Sequence, residues 1–213
     1  MDSTVLGIVR HLLLLSVMTL GAGGTALAED LDCPDGAILK GSAPPRGQKQ
    51  WCQLPDGTQH GPSTFWYPDG EKRVQANFRN GGLEGPLTEW HRNGRKAEQG
   101  FYQDDKRHGT FTTWYEDGTK ESLEEYQADV LTGKWLLWYR NGKPMVVSEF
   151  RDGKRHGPSA SYYENGQIKT QGEFLDGQYD GVWTGWWENG AKKKVAEFDH
   201  GVELSREYFP RSE

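Results

Sequence analysis

The feature that most constrains this chain is an internal repeat of 24 residues, which runs without an insertion over residues 61–204. Two glycine series and one series of Phe and Tyr residues keep this spacing, and the second glycine always follows Asp or Asn. Such a period indicates tandem units that bury their apolar surface against their neighbours. The series are Gly61, Gly85, Gly109, Gly133, Gly157 and Gly181; Gly70, Gly94, Gly118, Gly142, Gly166 and Gly190; and Phe78, Tyr102, Tyr126, Phe150, Phe174 and Phe198.

Within each copy, the pattern predicts two strands and two turns. Asn165-Gly166 follows an aromatic pair, and Asp176-Gly177 ends the second strand. An Asn-Gly pair after a strand is typical of a two-residue type I′ turn, in which both central residues have positive φ. No segment keeps helical spacing beyond one turn. The sequence therefore predicts an all-β fold, an elongated single-layer antiparallel meander of about twelve strands built from six 24-residue β-hairpin repeats.

The aromatic residues fall into ladders on opposite faces of the predicted sheet, because side chains alternate along a strand. Aliphatic residues are scarce, so stacked rings replace an aliphatic core. Small residues such as Ala76 and Gly172, two positions before the Phe/Tyr series, leave room for these rings, and Glu124 is the exception. One face carries Trp66, Trp90, Trp114, Trp138, Tyr162 and Trp186. The other carries the Phe/Tyr series with Tyr67, His91, Tyr115, Tyr139, Tyr163 and Trp187.

Charge and motif spacing exclude several function classes. The net charge is −6 with both signs mixed, so nucleic acid is not an expected partner, since phosphate binding requires a basic surface. His60, His108 and His156 recur in alternate copies, which places them roughly 19 Å apart, too far for one metal ion. We predict a protein that is not an enzyme, without catalytic residues, metal or cofactor.

A carboxylate series also follows the repeat, with neighbours roughly 10 Å apart on one face. A glycosidase pair needs a fixed separation and one carboxyl group with a raised pKa. A series repeated in this way favours a solvated face balanced by lysines instead. The carboxylates are Glu125, Glu149, Glu173 and Glu197, and the lysines are Lys72, Lys96, Lys120 and Lys192.

The first residues predict export. An apolar run from Leu12 to Gly24 is too short to span a bilayer comfortably, and Ala26-Leu27-Ala28 has the pattern of a signal-peptidase site. We expect cleavage after Ala28 and a periplasmic or extracellular protein with no stable membrane span; an uncleaved anchor is the alternative. The expected segments are a signal peptide (1–28), an N-terminal lead-in (29–60), six repeats (61–204) and a C-terminal capping tail (205–213).

Two cysteines, Cys33 and Cys52, lie in the lead-in. An exported protein meets oxidising conditions, and an even number of cysteines suits a disulfide bond. Closing this loop stabilises the fold by about 3 kcal/mol. Free thiols and half a metal site are the alternatives. We predict that the disulfide bond holds the lead-in against the first repeat.

The repeat unit resembles the bacterial variant of the MORN repeat. The resemblance rests on the glycines, the Trp-Tyr pair, the Asn-Gly turn and the Glu-Phe-Arg-Asp-Gly ending of residues 133–153, and on the His-Gly pairs that end 57–61, 105–109 and 153–157. It implies an elongated single-layer sheet that binds other molecules. Bacterial members are often labelled antitoxins of toxin–antitoxin pairs. Choline- and glucan-binding repeats are the alternative family, although their unit is shorter.

The functional expectation is an exported, non-enzymatic scaffold that binds another protein through an aromatic-rich sheet face. The alternative is a cell-wall or carbohydrate-binding module, whose rings would stack on sugars. A homodimer is a further alternative, because one face of a single layer needs cover. The candidate binding residues are Trp66, Trp90, Trp114, Tyr115, Trp138, Tyr139, Tyr162, Tyr163, Trp186 and Trp187.

Overall fold

The computed structural model describes residues 31–211, which form one antiparallel sheet of 17 strands. The predicted signal peptide lies outside the described residues. Among the residues described, no helix is long and apolar enough to cross a membrane. The strands are β1 (Ile38–Ser42), β2 (Lys49–Gln53), β3 (Gln59–Trp66), β4 (Lys72–Arg79), β5 (Gly82–Leu83), β6 (Gly85–Trp90), β7 (Lys96–Gln103), β8 (Lys106–Arg107), β9 (Gly109–Trp114), β10 (Lys120–Gln127), β11 (Val130–Trp138), β12 (Pro144–Arg151), β13 (Lys154–Tyr162), β14 (Ile168–Leu175), β15 (Gln178–Trp186), β16 (Lys192–Asp199) and β17 (Val202–Tyr208).

The strands follow one another as an open meander, as the sequence predicts. β5 and β6 together form one interrupted strand between β4 and β7. β8 and β9 do the same between β7 and β10. The strands predicted for the six copies are confirmed as β3 to β16, and β1, β2 and β17 extend the sheet. β17 begins at Val202, inside the last predicted repeat, and its seven residues are all exposed along the final edge.

The first turn of each copy differs from the predicted type I′ turn. Between β3 and β4, the Gly70 N–H donates to the Tyr67 carbonyl at 3.0 Å, and the Tyr67 N–H donates to the Glu71 carbonyl at 2.8 Å. Gly70 has a φ of 96°, whereas Asp69 does not have positive φ. This geometry is a three-residue loop closed by a glycine bulge. Asp69 instead accepts the Glu71 N–H on its Oδ1 at 3.3 Å, as Asp and Asn do in turns.

Type I′ geometry lies at the second turn of each copy. Asp176 and Gly177 have φ values of 50° and 90°, and Leu175 pairs directly with Gln178. Both central residues are therefore left-handed, as a two-residue hairpin loop requires. The equivalent turns are Asn80-Gly81, Asp104-Asp105, Ala128-Asp129, Asp152-Gly153 and His200-Gly201.

The predicted separation of the main aromatic series onto two faces is confirmed despite the wrong turn type. The register of β3 and β4 shifts by one residue between Phe65 and Trp66. This bulge offsets the extra loop residue, so Gly61 pairs with Phe78, as a two-residue loop would also place them. Because Trp66 is an odd number of residues from Gly61, it lies on the opposite face from Phe78. We call these faces the Trp face and the Phe face.

The Phe face holds the core, where large rings lie over small residues. Phe111 is 4% exposed and lies over Gly100, where an added Cβ would stand 2.3 Å from the ring. Trp183 is 8% exposed and lies over Gly172 at the same distance. The predicted role of small residues beside rings is therefore confirmed at these two sites. The predicted ladders did not include the large residues of this position, which are Leu87, Phe111, Trp135 and Trp183.

The predicted disulfide bond between Cys33 and Cys52 is confirmed. Cys52 lies in β2 and is 1% exposed. Pro34 and Cys52 pack against Gly61, where an added Cβ would stand 2.5 Å from Pro34 Cδ and 3.2 Å from Cys52 Cβ. The disulfide segment therefore contacts the first copy directly.

Candidate functional site

Three of the predicted binding residues join successive copies through their hydroxyl groups. Tyr115 donates a hydrogen bond to the carbonyl oxygen of Trp138 at 2.8 Å. Tyr139 and Tyr163 make the same bond to the next copy at 2.7 and 2.9 Å. His91, at the equivalent position, places Nε2 2.7 Å from the corresponding carbonyl oxygen. These hydroxyl groups already donate to carbonyl oxygens of the next copy, so they are not free to donate to a ligand.

Trp187, the last member of this ladder, has no following copy to contact. Its indole Nε1 is buried and has no hydrogen-bond partner in the described part of the chain. Lys193 Nζ lies 4.3 Å from the ring centroid, and the Arg211 guanidinium lies 5.9 Å from it. Two cations therefore accompany this ring.

Lysine side chains accompany the tryptophan rings of the Trp face in the second, third and fourth copies. Each ammonium group lies 5.8–5.9 Å from the ring centroid, within reach of a cation–π interaction. Each lysine belongs to the preceding copy. The pairs are Lys72–Trp90, Lys96–Trp114 and Lys120–Trp138.

The rings of the last two copies lack this lysine. Pro144 and Ile168 occupy its position ahead of Tyr162 and Trp186. Within residues 31–211, no Lys or Arg lies over either of these rings. Trp66, at the other end of the ladder, is only 7% exposed. Among the described residues, Tyr162 and Trp186 are therefore the half-buried members of this ladder that no cation covers.

A groove of about 560 Å³ lies beside Trp186 on the Trp face. It crosses four strands, from β13 to β16. β15 bulges here, because its register with β14 shifts between Gln171 and Glu173 and Gly181 adopts a φ of 63°. The volume lies within the usual range of ligand-binding clefts, about 300–1,000 Å³. The lining residues are Pro158, Gln171, Gly172, Glu173, Asp180, Gly181, Val182, Thr184, Trp186 and Lys192.

Two carboxylates face each other in this groove. Glu173 of β14 stands directly opposite Asp180 of β15, an arrangement of like charges that costs stability. In the described part of the chain, neither forms an ion pair with a Lys or Arg side chain. Asp180 accepts the backbone N–H of His200 on Oδ1 at 3.4 Å. The groove is therefore acidic on the side away from Trp186.

The lysines expected to balance the carboxylate series have other neighbours. Lys72, Lys96 and Lys120 lie over tryptophan rings. Glu125 accepts the backbone N–H of Lys134 on Oε2 at 2.8 Å. The charge balance predicted from the sequence therefore does not describe these side chains.

The residues best placed to hold a metal ion are Asp180, Asp199 and His200, whose ligand atoms lie within 4.8 Å of one another. His200 Nδ1 is hydrogen-bonded to Asp199, and this bond and charge raise the pKa of His200. A metal ligand must be the neutral imidazole. Because Asp199 favours the protonated ring, the arrangement suits an ion pair better than a metal site.

Comparison with known families gives one match. The model of the MORN repeat variant matches residues 59–80, 107–128, 131–152 and 155–176. Each match covers the two strands of one hairpin, as β3 and β4 show for the first. Four MORN-variant repeats therefore lie between residues 59 and 176 of this chain. No curated protein matches it, and MORN repeats are in general not enzymes.

The two copies that the family model does not match have the same fold as the four that it matches. Residues 83–104 and 179–200 stand at the same 24-residue spacing and form the same pair of strands. The second of these copies supplies Asp180, Val182 and Trp186 to the groove. The groove therefore spans a copy that the family model matches and the following copy, which it does not match.

Of the ten predicted binding residues, the groove includes Trp186 alone. Sequence analysis had placed Glu173 and Lys192 in series with other roles, and it did not single out Pro158, Asp180 or Val182. The available signal was the replacement of lysine by Pro144 and Ile168, at a position that holds lysine in the other four copies.

Proposed function

We propose that this MORN-variant protein is an exported, non-enzymatic scaffold that binds another protein through the Trp face of its last copies. The observation that carries the proposal is the groove beside Trp186, whose ring is half-buried and has no cation above it. A tryptophan in a groove that also contains the apolar residues Pro158 and Val182 is typical of an interface anchor. The central copies, with Lys96 and Lys120 over their rings, are less suitable.

The test is capture of a partner by immobilised protein from envelope and secreted fractions of the native host. Trp186→Ala should abolish capture. The matched control is Trp114→Ala, which should retain capture of the partner. Trp114 is the same residue type but lies two copies from Tyr162 and three copies from Trp186. Circular dichroism of both variants establishes that each remains folded. Equal capture by the two variants would contradict the proposed site.

The export part of the proposal is supported by the disulfide bond, since such bonds persist in oxidising compartments. The sequence adds the apolar run and the Ala26-Leu27-Ala28 pattern. Mass spectrometry of the native protein should find Glu29 at the N-terminus. A native pool that begins at Met1 or Asp2 would contradict cleavage.

A glycan is the second candidate ligand, because Gln171 and Thr184 place polar groups beside Trp186 in the same groove. An indole ring can stack on a sugar while amide and hydroxyl groups bind its hydroxyls. A glycan array probed with the folded chain separates the two candidates. Trp186-dependent binding to a defined glycan would favour this alternative over a protein partner.

A further inference from the structure

The spacing of copies along the Trp face sets the spacing that an extended ligand must match. Each copy contributes two strands, and neighbouring strands are about 4.8 Å apart, so equivalent side chains of successive copies lie roughly 10 Å apart. Tyr162 and Trp186 are one such pair, and Glu149 and Glu173 are another. A ligand that crosses the strands therefore passes an uncovered ring and a carboxylate at each interval.

A polyproline II helix has this period. Every third residue returns to the same side after about 9.3 Å, because each residue rises about 3.1 Å. A β-strand ligand repeats after only about 6.6 Å. In an α-helical ligand, residues seven apart would match the spacing, at about 10.5 Å. The apolar residues between them on the same helix face would, however, lie against the polar side chains of Gln171 and Thr184. A polyproline II helix therefore matches the spacing of the rings and does not place apolar side chains against Gln171 and Thr184.

The carboxylates favour a cationic ligand at the end of the groove away from Trp186, whereas Lys192 stands opposite Trp186 at the other end. Glu173 and Asp180 stand opposite each other, and Glu197 lies on the next strand opposite Val182. A Lys or Arg side chain between the first two would relieve their repulsion and form charge-assisted hydrogen bonds. A ligand that carries carboxylates would increase the repulsion.

The lysines of the earlier copies restrict such a ligand to the C-terminal end. Lys96 and Lys120 each place a positive charge on the ring that a cationic segment would approach. Ile168 removes this charge in front of Trp186. The Trp face therefore combines uncovered rings with unpaired carboxylates in the last two copies.

We propose that the groove, together with Tyr162 at the end of β13, binds a proline-rich, cationic segment of the partner protein in polyproline II conformation. Its prolines stack on Tyr162 and Trp186, and its Lys or Arg side chains reach Glu173 and Asp180. The inference rests on the function proposed above and names the class of partner. Aromatic-lined grooves bind proline-rich segments with little loss of conformational entropy, because the polyproline II helix is already formed.

The first test measures fluorescence anisotropy of labelled peptides with the full chain from residue 29. One peptide repeats the triplet Pro-Pro-Lys, a second repeats Gly-Ser-Lys with the same charge and a flexible backbone, and a third repeats Pro-Pro-Glu. Pro-Pro-Lys should bind about tenfold more tightly than either control, a difference of about 1.4 kcal/mol. Equal binding of the two lysine peptides, or tighter binding of Pro-Pro-Glu, would overturn the inference.

The second test restores the missing lysine. Ile168→Lys should place an ammonium group over Trp186, as Lys120 lies over Trp138, and should weaken binding of the Pro-Pro-Lys peptide about tenfold. Thr110→Lys adds the same charge on an exposed site of an earlier copy and should leave binding unchanged. Equal effects of the two substitutions would show that only net charge matters, which contradicts a specific groove.

A further variant does not depend on the packing of Ile168. Glu173→Gln should weaken the lysine peptide severalfold, whereas Glu188→Gln, in an exposed turn, should not. If Trp186 is required for partner capture but no proline-rich peptide binds, this inference fails and the scaffold function stands. If Trp186→Ala leaves partner capture intact, the scaffold function itself fails at this site.

Discussion

Replacing Gly172 with alanine tests whether the core of the Phe face depends on contact between a ring and a glycine. The added Cβ would stand 2.3 Å from Cδ2 of Trp183, with two further ring atoms within 2.5 Å. The ring has little freedom to move away. Its Nε1 donates to the Glu173 carbonyl at 2.9 Å, and the rings of Phe174 and Tyr179 pack at centroid distances of 5.0 and 4.7 Å.

The expected cost follows from this confinement. Inserting a methyl group into a packed core costs about 1–3 kcal/mol, and a ring held on three sides places Gly172→Ala near the upper end, at about 2–3 kcal/mol. For a chain of this length, each kcal/mol lowers the melting temperature by about 2–4 °C, so the expected fall is roughly 4–12 °C. Urea denaturation followed by circular dichroism measures the free energy of unfolding directly.

Gly185→Ala is the matched control, because Gly185 pairs with Thr170 on the same two strands. An added Cβ there meets no atom closer than 3.7 Å, and the residue does not have positive φ. Alanine should therefore be neutral or stabilise by about 0.4–1 kcal/mol through the unfolded state. In a Trp183→Leu background, Gly172→Ala should lose most of its cost. Equal destabilisation by Gly172→Ala and Gly185→Ala would refute the reasoning.

Other positions test the contacts between copies, the buried charge and the repeat itself. Tyr139→Phe removes the hydrogen bond to the next copy and should cost about 1 kcal/mol in chemical denaturation, whereas Tyr179→Phe should be nearly neutral. Burial first, and then Glu89 opposite it, raise the pKa of Glu98, so its ionised form costs stability as pH rises through that pKa. Glu98→Gln should therefore raise the melting temperature near pH 7 and give no gain below about pH 4, and a gain that persists at low pH would contradict this cause. Deleting residues 133–156 removes one whole copy and should leave a folded chain by circular dichroism, whereas deleting half a copy should not; equal damage would contradict the repeat.

The period of the repeat was enough to predict the meander, but it assigned type I′ geometry to the first turn of each copy, whereas the second turn adopts it. Asp69-Gly70 and Asp176-Gly177 have the same pair of residues, although only the second forms a type I′ turn. The two turns differ in which flanking residues pair, and therefore in loop length. The two central residues alone do not determine that pairing. Pro68 offered a local signal, because proline favours the second position of a type I turn.

The core rings escaped prediction for a different reason. Their repeat position holds Phe111 and Trp183 in two copies but Ser63 and Ser159 in two others. A position that holds four large residues of three types and two serines does not form a series that a periodic search detects. The face assignment of the Trp66 and Phe78 series remained correct because the bulge in each hairpin offset the longer loop, a cancellation that arises only in three dimensions.

The groove was harder to predict than the core, because it depends on pairs of residues in adjacent copies. Ile168 and Trp186 lie in different hairpins, and their relation becomes clear only once Lys120 is found over Trp138. The bulge at Gly181, which shapes the groove, likewise depends on strand register. Composition and period carry no information on either point.

Departure from the repeat would also explain how an array of similar hairpins offers the single proposed site. If every copy carried an uncovered ring and unpaired carboxylates, an extended ligand would bind equally well after a shift of one copy, roughly 10 Å along the sheet. Lysines over Trp90, Trp114 and Trp138 remove the equivalent positions from competition. Regular contacts such as the Tyr139 hydrogen bond hold the copies together, and the irregular Ile168 fixes where along the array a partner would bind.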